Sequence, residues 1–163
     1  MKKSATKMVK EFRLFWRNYV FQSFFATCVT FIVFLFLDLQ HVVIIASIGA
    51  TVFIVFAMPK SITAKPRNVI GGHLVGLISG YLCALIPHHL FLPSIIVYSF
   101  AVGLSIFIMV VTDTEHPPAS GTALGIAIRG FSLEVTIAVV TSAIILSLTH
   151  HLFKGHLRDL MWY

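Results

Sequence analysis

Thr112-Asp113-Thr114-Glu115-His116-Pro117-Pro118-Ala119-Ser120-Gly121-Thr122 interrupts an otherwise apolar chain. The two prolines forbid a continuous helix through this stretch and hold His116 in extended backbone. A new helix can open at Pro118-Ala119, because proline is tolerated in a first turn. The apolar piece that follows, Ala119 to Ile128, is about ten residues long and stops at Arg129-Gly130. At ~1.5 Å per residue it covers about half of a ~30 Å hydrocarbon layer. A short helix therefore sits among longer ones.

Working outward, the neighbouring runs are long enough to span. They extend from Tyr19 to Leu37, Val42 to Met58, Val69 to Ile86, Ser94 to Thr112 and Val135 to Leu152. The 163 residues are 58% hydrophobic and 11% charged, with a mean hydropathy of +0.93. An ordinary soluble domain is about a quarter charged. This composition excludes a soluble globular domain, a disordered chain and a nucleic-acid module. The expected fold is an all-α, polytopic membrane helix bundle with five full spans and one short or broken helix. Residues 1–18 form a basic cytoplasmic segment, residues 19–153 the membrane domain, and residues 154–163 a short C-terminal tail. Cys28 and Cys83 lie inside apolar runs and read as small hydrophobes.

The net charge is +6, and six of the twelve Lys/Arg fall within the first seventeen residues. Basic loops face the cytoplasm. If the short piece crosses, Lys60, Lys65, Arg67, Lys154 and Arg158 join the N-terminal six on one side, and Arg129 stands opposite. If it turns back, Arg129 moves inside, Lys154 and Arg158 move outside, and the asymmetry is weaker. Six crossings with both termini cytoplasmic is the better reading, in a bacterial-type inner membrane.

A pattern recurs along the chain. Asp38-Leu39-Gln40-His41 precedes Ala46-Ser47-Ile48-Gly49-Ala50-Thr51, and Asp113-Thr114-Glu115-His116 precedes Ala119-Ser120-Gly121-Thr122-Ala123. With three crossings per copy, the second copy is upside down. Such 3+3 inverted repeats with broken helices build many secondary transporters, with substrate held near the midplane.

Candidate site residues follow from these breaks. The helix openings near Ser47-Gly49-Thr51 and Pro117-Pro118-Ser120-Gly121-Thr122 offer N–H groups to an anion, or are ordinary turns. His116 and His41 precede them. The loop from Pro59 to Asn68 carries Lys60, Lys65 and Arg67. It reads as an electropositive vestibule or as anchoring to acidic headgroups. Asn68 and the preceding Pro66 fix the direction of Arg67. His73 lies about one and a half turns into the third span, where a polar residue marks a pathway or a packing hydrogen bond. Gly72, Gly76 and Gly80, and Gly121 and Gly125, recur every four residues and let backbones approach closely. Arg129 and Glu134 flank Gly130 at ion-pair spacing. His150, His151 and His156 read as a solvated tail rather than a metal site.

The stretch Ala46-Ser47-x-Gly49-Ala50, Phe56-Ala57-x-Pro59-x-Ser61, Ala64-x-Pro66-Arg67-Asn68-x-x-Gly71-Gly72-His73 resembles the first signature of the HPP-family integral membrane proteins. His116-Pro117-Pro118 followed by Gly121-Thr122-Ala123-Leu124 resembles the second. The likeness runs from about residue 20 to 150. The family usually has Pro where Ile62 stands and Gln where Lys65 stands. It also usually has a glycine pair or Gly-Ala between the two prolines and the Thr. It is often described as having four spans, against the six crossings read here. Some chloroplast and cyanobacterial members are linked to nitrite transport, so the resemblance implies a small-anion transporter or channel with nitrite as first candidate.

The expected partners are a small anion and the lipid bilayer, without nucleic acid, and homo-oligomer formation stays open. No cofactor, metal or enzymatic activity is expected. The rival readings are a non-transporting scaffold or assembly subunit, and a membrane metalloenzyme using His41, Asp38, Asp113, Glu115 and His116. The absence of His-x-x-x-His or paired cysteines at ligand spacing weighs against the enzyme.

Overall fold

A computed structural model describes residues 2–34, 42–87 and 91–160. All regular structure among them is helical: α1 (Lys2–Phe34), α2 (Val42–Ala57), α3 (Pro66–Ala84), α4 (Phe91–Val111), α5 (Pro118–Arg129) and α6 (Leu133–Phe153), with a 3-10 turn at Ile62–Ala64.

Local chemistry sets the boundaries. Phe15, with φ −124° and ψ 17°, interrupts α1 between its basic N-terminal part and its apolar part. Pro66 and Pro118 occupy the first turns of α3 and α5, where a missing N–H costs nothing. Ser132 caps α6 by accepting from the Val135 N–H at 3.3 Å, and Glu134 in that first turn suits the helix dipole. α4 ends in a Schellman arrangement. Asp113 has φ +53°, its N–H donates to Val110 O at 3.3 Å, and the Thr114 N–H donates to Met109 O at 2.9 Å.

Glycines set the packing. Along α3, missing Cβ atoms at Gly72, Gly76 and Gly80 face His116 and Ala119, then Ala119 and Thr122, then Ala123 and Ile126. α3 and α5 therefore run parallel in close contact. On the other side of α5, Gly121 meets Ser47 and Gly125 meets Ile44, so α2 runs antiparallel. α5 packs against α2, α3 and α4, and α6 packs against α2 and α3. α3 also packs on α4, and α1 lies against α2 and α6. Exchanging α1, α2 and α3 for α4, α5 and α6 maps this set of neighbours onto itself.

The short α5 does not turn back. It starts beside Gly72, well inside α3, and its outer end leads to Ser132, whose carbonyl accepts from Tyr81 Oη at 3.1 Å near the far end of α3. The non-helical stretch from Thr114 to Pro117 covers the depth that the helix lacks.

The core joins Ile44, Ile48, Val55, Val69, Val139 and Leu146. Large apolar side chains cover the outside, among them Phe24, Phe31, Ile96, Phe107, Phe131 and Leu152. Exposure on that scale matches a surface facing hydrocarbon rather than water. Among the described residues, two segments are long and apolar enough to cross a membrane on length and composition alone, Ser94–Val111 and Leu133–Phe153. Two of the five expected full spans thus meet this test. The 16 residues of α2 are short for a span, α3 carries Arg67 and His73, and the first predicted span runs into residues 35–41, outside the described residues.

Two local details go beyond the sequence reading. Residues 157–160 of the short C-terminal tail pack on the bundle. Leu157 is in the core, the Leu160 N–H donates to Ala57 O at 2.9 Å, and Tyr19 Oη donates to Leu160 O at 3.2 Å. Gln22, fully buried, clasps this segment. Its Nε2 donates to Arg158 O and Phe56 O, and its Oε1 accepts from the Arg158 N–H. Arg129 and Glu134 do not pair with each other, since the extended chain around Gly130 (φ +81°) separates them.

Candidate functional site

Where α2, α3 and α5 meet, five polar side chains form one continuous chain of hydrogen bonds. Thr51 Oγ1 lies 2.9 Å from Nε2 of His73 and 2.9 Å from Nε2 of His116. His73 Nδ1 lies 2.9 Å from Thr122 Oγ1, which lies 2.9 Å from Ser47 Oγ. Ser47 Oγ donates to Pro118 O at 2.5 Å, and Thr51 Oγ1 is 3.1 Å from Ser47 O. His116 Nδ1 donates to Thr63 O at 2.8 Å. All five residues are at most 5% exposed.

The hydrogens of this network can be counted. A carbonyl only accepts, so the bond to Thr63 places a hydrogen on Nδ1 of His116. The contacts just described number seven. Two neutral imidazoles and three hydroxyls supply five hydrogens. The neutral network is two short. It closes fully when both imidazoles carry two hydrogens, Thr51 donates to Ser47 O, and Thr122 donates to Ser47 Oγ.

The surrounding elements hold it in position. Asn68, buried on the first turn of α3, donates from Nδ2 to Glu115 O at 3.1 Å and steadies the residue before His116. Gly72 gives His116 room, because a Cβ there would stand 2.5 Å from the His116 Cβ. The 3-10 turn, capped by Ser61, presents the Thr63 carbonyl.

Of the residues singled out from sequence, His116, His73, Thr51, Thr122, Ser47 and Pro118 converge, and Gly121 packs on Ser47. Gly49 stands apart, with open space around its missing Cβ. Pro117 and Ser120 border a mostly apolar groove of about 270 Å³ that also touches Glu115, His116 and the α4 residues Ile106, Met109 and Val110. Arg67 does not reach the imidazoles. It is exposed, pairs with Asp113 at 3.0 Å and donates to Thr112 O at 3.1 Å, tying α3 to the end of α4. His41 and Asp38 lie outside the described residues.

The expected N–H cradle for an anion takes a different form. Ser47 is the sixth residue of α2, so it offers a hydroxyl rather than an open helix end. At α5, the Ala119 N–H donates to His116 O and the Ser120 N–H to Pro117 O, at 2.9 and 3.1 Å. Among the described residues, no group of three or more His, Cys, Asp or Glu side chains is placed to hold a metal. His150 is not solvated either; it is buried and donates from Nε2 to Pro59 O at 2.7 Å. Sequence reasoning passed over Gln22 and the Thr63 carbonyl. A lone amide within an apolar run was the available signal for the first; a backbone carbonyl carries none.

The HPP transmembrane region matches residues 9–158. The chain belongs to the HPP transmembrane family. It is an integral membrane protein, and the His-Pro-Pro stretch is the one that carries His116 into the network. A transmembrane protein of Dictyostelium discoideum is 34% identical over 119 residues, covering 69% of this chain and 41% of the relative. A second transmembrane protein of that organism is 31% identical over 85 residues, covering 52% and 27%. The HPP chain thus spans less than half the length of either relative. No solved structure matches it.

Proposed function

We propose that this HPP chain is a proton-coupled transporter or channel for a small inorganic anion, with nitrite the first candidate. The observation that carries the reading is the buried His73–Thr51–His116 chain. Ionisable side chains inside a membrane bundle are costly and mark ion or proton pathways. One hydroxyl bridging two imidazoles can pass a proton between them, each His titrating near neutrality in water. A protonated imidazole in a buried site needs a counter-charge, and an entering anion supplies it.

The apolar groove beside His116 narrows the substrate class. A mostly apolar wall disfavours an ion and accepts a neutral molecule, and the Glu115 carboxylate on its border repels an anion further. An anion of a weak acid, protonated next to His116, would enter as the neutral acid. Nitrite qualifies, and formate, though organic, serves as a probe of the same weak-acid chemistry; nitrate and chloride, anions of strong acids, do not qualify. Arg67 and its loop then act at the surface by raising the local anion concentration.

The architecture proposed around this site is six crossings with both termini cytoplasmic, built as two inverted three-helix halves. The neighbour pattern supports it, since it is unchanged when the halves are exchanged, and α2 and α5 run antiparallel.

Uptake by proteoliposomes tests the function. Nitrite and formate should enter saturably, faster with an inward proton gradient, and nitrate and chloride should not. His116→Ala should lower uptake at least tenfold. Folded protein that moves none of these anions would instead favour a scaffold.

A further inference from the structure

A second polar site lies away from the imidazole network. A cavity of about 560 Å³ opens between the Pro59–Arg67 loop and the last turn of α6. Lys60, Lys65, Arg67, His150, His151 and Lys154 line it, and no acidic side chain does. Residues far apart in the chain are brought together here, because His150 donates to Pro59 O.

The lysine charges are not spent on protein partners. Arg67 is engaged by Asp113, and the nearby Asp159 carboxylate accepts the Lys60 backbone N–H at 3.0 Å. The ammonium groups of Lys60, Lys65 and Lys154 have no hydrogen-bond or ion-pair partner among the described residues. His150 is 4% exposed, yet its Nδ1 has no hydrogen-bond partner. A buried polar atom without a partner is unusual in a folded protein. Three like charges facing one concavity raise the potential there and attract an anion.

We infer that this cavity binds the phosphate group of an anionic ligand. A cavity of this volume exceeds a triatomic anion, and a tetrahedral group with several oxygens can engage three ammonium groups at once. The phosphate can belong to a phospholipid headgroup or to a free phosphate, and the binding chemistry is the same. The inference is independent of transport, since it rests on the cavity and not on the imidazoles.

The test uses the full chain purified in zwitterionic detergent. In one arm, phosphatidylglycerol and phosphatidylcholine are titrated and retained lipid is read by native mass spectrometry. In the other, inorganic phosphate is titrated against chloride at equal ionic strength and the thermal midpoint is followed. Lys60→Gln/Lys154→Gln should weaken binding about tenfold, a rough figure for two charge-assisted contacts. Lys10→Gln/Arg13→Gln, which removes the same charge from exposed positions on α1, should leave it within about twofold on the same grounds. Selective retention of phosphatidylglycerol, lost in the first pair, supports the site with a headgroup as occupant. A phosphate-specific rise in midpoint, lost in the first pair, supports it with a free phosphate. Silence in both arms, or equal weakening by the two pairs, overturns it. Loss of nitrite uptake with intact phosphate binding, or the reverse, tells the two proposals apart.

Discussion

Gly72 and His116 are in contact across the α3–α5 interface: a Cβ on Gly72 would stand 2.5 Å from the Cβ of His116 and 3.2 Å from Thr114 O. Both neighbours belong to the segment between α4 and α5 that Asn68 and Thr63 already hold, so neither can yield cheaply. Gly72→Ala should destabilise the protein by about 1–3 kcal/mol, the usual cost of overpacking, and should depress anion uptake by moving His116. Gly103, on α4, has nothing within 4 Å of its missing Cβ. Gly103→Ala should be neutral or stabilising by up to about 1 kcal/mol, the helix-propensity gain. Thermal midpoints of the two variants in one detergent check the pair, and equal effects would refute this account of the interface.

Thr51 is the junction of the imidazole network. Thr51→Val keeps the shape and deletes the hydroxyl, leaving Nε2 of both His73 and His116 without it. Each unsatisfied buried group costs about 1–3 kcal/mol. Thr51→Ser restores the hydroxyl and should recover both stability and proton-driven uptake. A Val variant with unchanged uptake under a pH gradient would remove Thr51 from the proton path.

Gln22 fastens the C-terminal segment to α1 and α2. Gln22→Leu should cost about 2 kcal/mol, because it strands the Arg158 backbone groups and Phe56 O in the core. The effect should be local. Amide hydrogen exchange at Leu157 and Leu160 should accelerate well before exchange in α3 or α5 changes, and uniform acceleration would contradict a clasp.

Asp113 separates backbone from charge. Its φ of +53° is costly for most residues, and Asp tolerates it better than Ala. Asp113→Ala should destabilise by about 1 kcal/mol. Asp113→Gly relieves the strain and loses only the exposed pair to Arg67, worth about 0–1 kcal/mol, so it should be at least as stable as the Ala variant. Both variants lose the pair equally, so thermal or denaturant midpoints in the order Ala above Gly would show that the positive φ at residue 113 does not set the stability of this corner.

Much of the fold was legible because its signals are local. Pro59, Pro66 and the Pro117-Pro118 pair end and open helices through their own missing N–H and fixed φ. The apolar runs mark six helices, and the Gly72-Gly76-Gly80 stripe marks a face of close approach. The Arg129–Glu134 pair failed because spacing across a glycine does not set direction. The packing of the tail was not legible because Gln22 gives no sign in sequence of its bonds to the Arg158 backbone.

The sequence by itself determined that this is a helical membrane protein with a broken helix at His116-Pro117-Pro118, since proline stereochemistry and hydrophobic length act within a few residues. Only the tertiary structure decided that Thr51 bridges His73 and His116, that Thr63 holds a hydrogen on His116, and that Lys154 and His150 complete a basic cavity with the Pro59–Arg67 loop. In lipid both the buried and the outer faces of a helix are apolar, so hydropathy does not say which faces meet. That choice rests on glycine-sized gaps and polar side chains matched across helices distant in the chain.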